Sequence, residues 1–346
     1  MKVNFLLLIC ISLFTLNHAK AQFAPEKNKE EPHQEYLLPL FGYKVVKMGH
    51  TLPKPIGFMF NYVWQKSEIT IEDFRLGTSP DKLADFSWVG FSNTISTSNV
   101  INVRLDAWLF PFLNVYGIYA RSSTVSTESV TFPINFPIRT TPTANTYGAG
   151  LVLAYGWRNY WMTTNANWSF SHTSALTNTV KNTIVSVRLG KQWELNPKSS
   201  FSINIGMQYQ HLDPRSNGQV SLEAVQSILD NPEMHEAIQQ IESGAADWYN
   251  GLSFAQKKVV DQVIDMVQDK TDGLDPNIPD YLYFSLNKYR VSKYSGLLGI
   301  SYFNNRRHML RLEGALGPSF TNFQLTYNYR FGFHKSKSKK VYPHLY

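Results

Sequence analysis

Every second residue from Phe323 to Phe333 is large and apolar: Phe323, Leu325, Tyr327, Tyr329, Phe331 and Phe333 alternate with Gln324, Thr326, Asn328, Arg330 and Gly332. A period of two is the signature of a β-strand with one apolar and one polar face. The pattern recurs in pairs of segments joined by short turns. "NVINVRLDAWLF" sets Ile101, Val103, Leu105, Ala107 and Leu109 against Asn102, Arg104, Asp106 and Trp108, and turns through "PFLN" into "VYGIYARSS". "NTYGAGLVLAYG" turns through "WRN" into "YWMTTNANWSFS", and "TIVSVRLGKQWEL" turns through "NPKS" into "SFSINIGMQYQ". "KYSGLLGISYF" turns through "NNRR" into "HMLRLEGAL". A strand near "IGFMFNYVWQKS" precedes the first pair and the 323–333 segment follows the last. The expectation is an all-β chain of about ten antiparallel strands, with eight or twelve as the neighbouring solutions.

Short turns alternate with long polar connections at about 70–97, 124–143, 172–180 and 212–285. The faces then discriminate between two settings. A soluble sandwich or lipocalin-like barrel buries its apolar face and exposes the polar one. In lipid the arrangement inverts, and the polar face lines a lumen. Here the polar faces carry Arg104, Asp106, Arg121, Arg188, Arg311, Glu313 and Arg330 among Asn and Gln. The aromatic residues beside the tight turns (Trp108, Phe110, Phe112, Tyr116, Tyr155, Trp157, Tyr160, Trp161 and Trp193) suit a girdle at a membrane surface.

Composition agrees with a membrane barrel. Mean hydropathy is only −0.26, yet the 346 residues include 22 Phe, 19 Tyr and 8 Trp. Downstream of the N-terminus no run of about 18 apolar residues appears, which excludes transmembrane helices but not strands of about 10 residues. Lys2, the apolar run "FLLLICISLF" and an Ala-x-Ala pattern at Ala19 and Ala21 read as a signal peptide over residues 1–21, cleaved near Ala21. The single cysteine, Cys10, lies in that run behind a bulky Ile9, so neither a lipoprotein nor a disulfide scaffold is expected. The net charge of +7 is spread along the chain apart from the basic tail 334–346, which reads as solvated. With no nucleic-acid motif and an export signal, no nucleic-acid partner is expected.

On the leader, the alternation, the asymmetry of turns and loops and the aromatic last strand, the chain resembles bacterial outer-membrane β-barrel proteins over most of residues 36–333. The resemblance implies a transmembrane barrel over residues 55–333 in the cell outer membrane, surrounded by lipid and lipopolysaccharide and inserted by the barrel-assembly machinery. One departure is that the terminal strand of that family commonly ends the chain on an aromatic residue, whereas here residues follow Phe333. Residues 22–54 read as a periplasmic lead-in or a plug in the lumen.

Residues 219–275 break the period. Ser221 as a cap, Asn231 with Pro232 in a first turn, Gly244 as a stop, and Ser253 with Gln256 spaced as a capping box predict two or three short helices. Val259, Val260, Val263, Ile264 and Val267 form a helical stripe suited to a cap over the mouth or to a protein partner.

Candidate chemistry is sparse. Arg104, Asp106, Arg188, Arg311, Glu313 and Arg330 are the candidate lumen residues, either as ion pairs in a closed interior or as a path for small polar or anionic solutes. His172 and Ser174 are the weak candidates for catalysis, vaguely similar to the active segments of outer-membrane lipid A deacylases and phospholipases, though no acidic orienter or oxyanion donor accompanies them. His211 with Asp213 is similar to the His–Asp pair of barrel proteases but lacks a second acidic pair. No metal spacing, phosphate loop or dinucleotide fingerprint is present, so no cofactor is expected. The function expected first is a narrow channel or transporter for small solutes. A non-conducting barrel for adhesion, envelope integrity or partner binding comes second, and a lipid-modifying enzyme third.

Overall fold

The computed structural model describes residues 36–47, 52–87, 89–132, 136–221, 249–254, 256–258, 261 and 281–334. A short helix, Gly42–Lys47, comes first. The strands follow as β1 (Ile56–Gly77), β2 (Ala84–Asp85), β3 (Gly90–Phe91), β4 (Thr94–Phe110), β5 (Leu113–Phe132), β6 (Phe136–Thr140), β7 (Thr143–Trp157) and β8 (Tyr160–Thr173). They continue as β9 (Val180–Asn196), β10 (Ser199–Leu212), β11 (Arg215–Ser221), β12 (Tyr281–Arg290), β13 (Tyr294–Asn304), β14 (His308–Gly317) and β15 (Phe320–Phe331).

Ten of these close an antiparallel barrel in the order β1-β4-β5-β7-β8-β9-β10-β13-β14-β15, as the alternation predicted. The seam is a pairing of β15 with β1 from Ile56↔Phe331 to Ser67↔Phe320. Closure removes both sheet edges, the condition for a sheet to sit in hydrocarbon. Four tight turns, at 111–112, 158–159, 197–198 and 305–307, lie at one end together with the start of β1 and the end of β15. The longer connections lie at the other, together with the two-residue turn 318–319, so the turn end is periplasmic and the loop end external.

The two faces are inverted relative to a soluble barrel. Phe58, Phe60, Tyr62, Ile101, Leu105, Leu153, Leu189, Met207, Leu298, Leu312, Phe323, Leu325 and Tyr327 are all exposed on the outside. Inside, Asn61, Asp106, Asn114, Ser186, Ser202, Asn204, Ser301, Glu313, Thr326 and Asn328 are buried. Outward aromatic pairs bridge neighbouring strands toward both ends, Trp193 with Phe201 and Trp157 with Tyr160 near the turns, Tyr119 with Tyr147 and Tyr209 with Tyr294 nearer the loops. These two belts flank an aliphatic band, the arrangement that a bilayer requires of a protein surface. The chain is thus an outer-membrane barrel by its own surfaces.

Several expectations need correction. Trp108, Tyr116 and Trp161 face the lumen rather than the girdle, because each shares the strand parity of an inward neighbour, Asp106, Asn114 and Thr163 respectively. Arg121 goes the other way. It shares the outer face with Tyr119 and lies in register with Ile101 and Asn145, toward the external side. The connection at 124–143 is largely strand, since β5 runs to Phe132 and pairs with β6. Residues 219–221 belong to β11, which ends at Ser221; the helix that Ser221 was expected to cap lies outside the described residues.

The 212–285 connection holds a feature that the sequence reading placed in a loop: β11 and β12 form a hairpin-like pair. β15 reaches only as far as Ser67 on β1, and above that point β12 takes its place from Ile69↔Arg290 to Gly77↔Tyr283. The far edge of β11 bonds to the 174–179 loop, Thr177 N donating to the Asn217 carbonyl (2.8 Å) and Asn217 N to Asn178 Oδ1 (2.7 Å). Above the rim, β11 and β12 thus link the loop after β8 directly to β1. Within the 219–275 insertion, Ser253 and Gln256 make the reciprocal capping box predicted for them (Ser253 N to Gln256 Oε1, 2.8 Å; Gln256 N to Ser253 Oγ, 3.4 Å). Asn231, Pro232, Gly244, Gly273 and the stripe from Val259 to Val267 lie outside the described residues.

Candidate functional site

The alternation that sends aromatic residues into lipid sends every other residue into the lumen, where they surround a cavity of about 1000 Å³. Its lining runs from Pro197, Lys198, Arg306 and Arg307 at the periplasmic turns to Ser171, Asn182 and Gln210 near the external rim. All six candidate lumen residues are in that lining.

They form two clusters and one outlier. At the closing seam Asp106, with no exposed side-chain surface, accepts from Arg330 Nη2 (2.9 Å) and from Asn114 Nδ2 (2.6 Å). Arg104 donates through Nη2 to Asn114 Oδ1 (2.8 Å), and its guanidinium stacks 3.7 Å from the centre of the Tyr116 ring. Arg330 also donates to the carbonyls of Lys54 and Pro55, which ties the lead-in to the last strand. Just above, Thr326 and Gln324 of β15 both donate to Asn61 Oδ1 of β1 (2.6 and 3.0 Å), so polar side chains bridge the seam from within.

The second cluster spans β9 and β14. Arg188 grips Glu313 with two parallel bonds, Nε to Oε2 (2.8 Å) and Nη2 to Oε1 (2.6 Å), the strong fork geometry of guanidinium and carboxylate. Asn204 Nδ2 donates to the same carboxylate (3.2 Å). Arg311 is the outlier. It donates through Nε to Ser301 Oγ (3.0 Å) and otherwise meets only the Met309 thioether (3.8 Å), with no carboxylate within ion-pair distance among the described residues.

Inward glycines make room for these groups, a signal legible only once register is known. A Cβ on Gly57 would stand 2.5 Å from Asp106 Oδ2 and 2.7 Å from Arg330 Nη1, and one on Gly150 would run into the Tyr116 ring. Gly57→Val is therefore expected to break the seam ion pair and destabilise the barrel by about 1–3 kcal/mol. The check is the temperature at which the folded, fast-migrating band disappears on unheated gels; an unchanged temperature contradicts the role of Gly57.

Apolar side chains gather on one side of the external end of the lumen, on β13, β14 and β15. Leu297, Ala315 and Phe320 form a small buried apolar layer, and the Arg290 guanidinium lies 4.9 Å over the Phe320 ring. Burial pushes Arg290 down to about 10, so it stays charged at neutral pH. Higher up, Ile71, Leu282 and Leu286 are buried in the wall that β12 forms with β1. Lys288 of β12 and Glu128 of β5, three strands apart around that wall, meet at 3.6 Å.

The catalytic candidates make separate bonds. His172 Nε2 pairs with Thr179 Oγ1 (3.1 Å), while Ser174 Oγ accepts from Thr143 N (3.1 Å). Asp213 accepts from Arg215 N (3.3 Å) instead of orienting His211. No cluster of three His, Cys, Asp or Glu suited to a metal occurs among the described residues.

No protein-family model matches the sequence, and no curated protein matches it. Among solved structures, the β-domain of the Bordetella autotransporter BrkA is similar over 80% of this chain and 99% of its own, at 8% identity and a TM-score of 0.37. The translocator domain of the autotransporter NalP from Neisseria meningitidis is similar over 83% and 93%, at 8% identity and a TM-score of 0.35. The toluene transporter TbuX of Ralstonia pickettii is similar over 81% and 90%, at 9% identity and a TM-score of 0.29. Likeness at that level carries no function across. The assignment rests on the closed sheet, the lipid-suited exterior and the polar interior: this protein is a ten-stranded β-barrel of the bacterial outer membrane.

Proposed function

We propose that the barrel is a narrow channel or transporter for small polar solutes, with a preference for anions. The observation that carries this reading is the charge of the cavity wall, where seven cationic side chains face three carboxylates. Pores that favour anions are lined by Arg and Lys, and a narrow low-dielectric wall strengthens the field of an unbalanced charge. Arg311 is the clearest surplus, because its nearest carboxylate, Glu313, is held by Arg188.

An ion pair in the external wall fits a gated route. The Lys288–Glu128 pair keeps Lys288 28% exposed at its side chain, and pairs of that kind contribute about 0–1 kcal/mol. Such a latch biases a mouth toward closure without locking it. Flux into proteoliposomes tests the reading: inorganic phosphate should enter faster than a neutral polyol of similar size. Arg311→Gln should lower phosphate entry several-fold and leave polyol entry nearly unchanged. Absence of entry for both solutes would count against the channel.

A second reading is a non-conducting barrel that presents the 219–275 insertion to a protein partner. It is favoured by Gln256 Nε2 donating to the Asp85 carbonyl (2.8 Å), which docks the insertion on the external rim. Deleting the insertion discriminates: altered permeability supports a gate, and unaltered permeability with lost partner capture supports a platform.

A further inference from the structure

The segment before the barrel leaves apolar side chains at the surface. Leu37, Leu40, Phe41 and Tyr43 are each at least half exposed. Their backbone is nevertheless fixed: Leu37 N donates to the Phe333 carbonyl (3.0 Å) and Leu40 N to the Leu109 carbonyl (2.8 Å). Those two anchors lie on either side of β1, whose first residue, Ile56, pairs with Phe331 and with Ala107. The segment is therefore a strap that crosses under the barrel seam at the periplasmic end.

The strap is continuous with the lipid-facing belt. From outward Tyr329 an aromatic ladder steps to Phe331 and on to Phe333, 6.2 Å each, and the Phe333 carbonyl is the strap's anchor. On the other side Phe41 stacks on Phe110 (6.2 Å) and Phe110 on exposed Phe112 (5.6 Å). Basic charge accompanies the apolar surface. Lys44 and Lys47 lie in the last turn of the helix Gly42–Lys47, both exposed, with the Lys44 ammonium 5.4 Å over the Phe41 ring.

From this geometry we infer that residues 36–47 form a foot that binds anionic phospholipid of the periplasmic leaflet. The apolar side chains enter the boundary between headgroups and acyl chains, and the two lysines meet headgroup phosphates. An interfacial helix combines those two contacts, and each lysine near an anionic surface favours the bound position by roughly fivefold. The foot works whether or not the lumen conducts.

The test uses the full chain with Cys10→Ser and Tyr43→Cys, labelled at position 43 with an environment-sensitive fluorophore and refolded into phosphatidylcholine vesicles with or without phosphatidylglycerol. A lipid-borne quencher near the headgroups should quench the label in both, and more in phosphatidylglycerol. Lys44→Glu with Lys47→Glu should abolish that lipid preference. Leu40→Ser with Phe41→Ser should reduce quenching in both lipids while heat-modifiable migration still shows a folded barrel. A label that remains unquenched, or one quenched equally in the two lipids, overturns the proposal.

Discussion

Lys288→Glu should raise the conductance of the barrel in planar bilayers, by roughly 5- to 30-fold in open probability. The change replaces an attraction of up to about 1 kcal/mol with a comparable repulsion between two carboxylates facing each other across the external mouth. Glu128→Lys should act in the same direction, since it places two ammonium groups there. The decisive variant is the exchange, Lys288→Glu with Glu128→Lys, which restores opposite charges and should return conductance to that of the unaltered protein. If each single change opens the mouth and the exchange does not close it, the pair at 3.6 Å is not the latch. High salt should weaken the contrast, because Lys288 is partly exposed.

Asp106→Asn carries the largest expected effect on stability. Asp106 accepts from Arg330 across the seam and lies 3.9 Å from Arg104, with its own side chain wholly buried. Asparagine keeps the shape but leaves two guanidinium groups without their carboxylate, and an uncompensated buried charge costs about 3–5 kcal/mol. Water in the adjoining cavity moderates this toward the lower figure. The seam should therefore melt several degrees earlier, read as loss of the folded band on unheated gels. Arg330→Gln should cost less than Asp106→Asn, because Asp106 then keeps Asn114 and Arg104 nearby. Equal stability of Asp106→Asn and the unaltered protein would show that the seam is held by its backbone ladder alone.

What the sequence disclosed follows from which physical signals are local. Alternation over Phe323–Phe333 depends on neighbours two residues apart, so both faces of the last strand and the inward direction of Arg330 were legible. Trp108 and Trp161 share the inward parity of Asp106 and Thr163, and only their place beside a turn suggested the girdle, whereas the face of Tyr116 was not legible. β5 shows why. Its inward face carries Asn114, Tyr116, Ile118 and Ala120, and its outward face carries Val115, Gly117, Tyr119 and Arg121, so hydropathy does not distinguish them. The glycines that accommodate lumen side chains are silent until the opposing residue is known, as with Gly57 and the Asp106–Arg330 pair. β12 was hidden for a different reason. Its tyrosines alternate with Leu282, Phe284, Leu286, Lys288 and Arg290, so both faces are partly apolar, as suits a strand above the rim with a covered inner side. The four lumen arginines were readable as a set, but the isolation of Arg311 appears only when Arg188 is seen to occupy Glu313.

The most direct test of the central claim, that a cation-rich lumen forms a route for small anions, is the reversal potential of the purified protein in a planar bilayer under a tenfold gradient of potassium chloride. Anion preference is predicted, reduced in Arg311→Gln. A cation preference, or a bilayer without conductance for both the unaltered protein and Lys288→Glu, would contradict it.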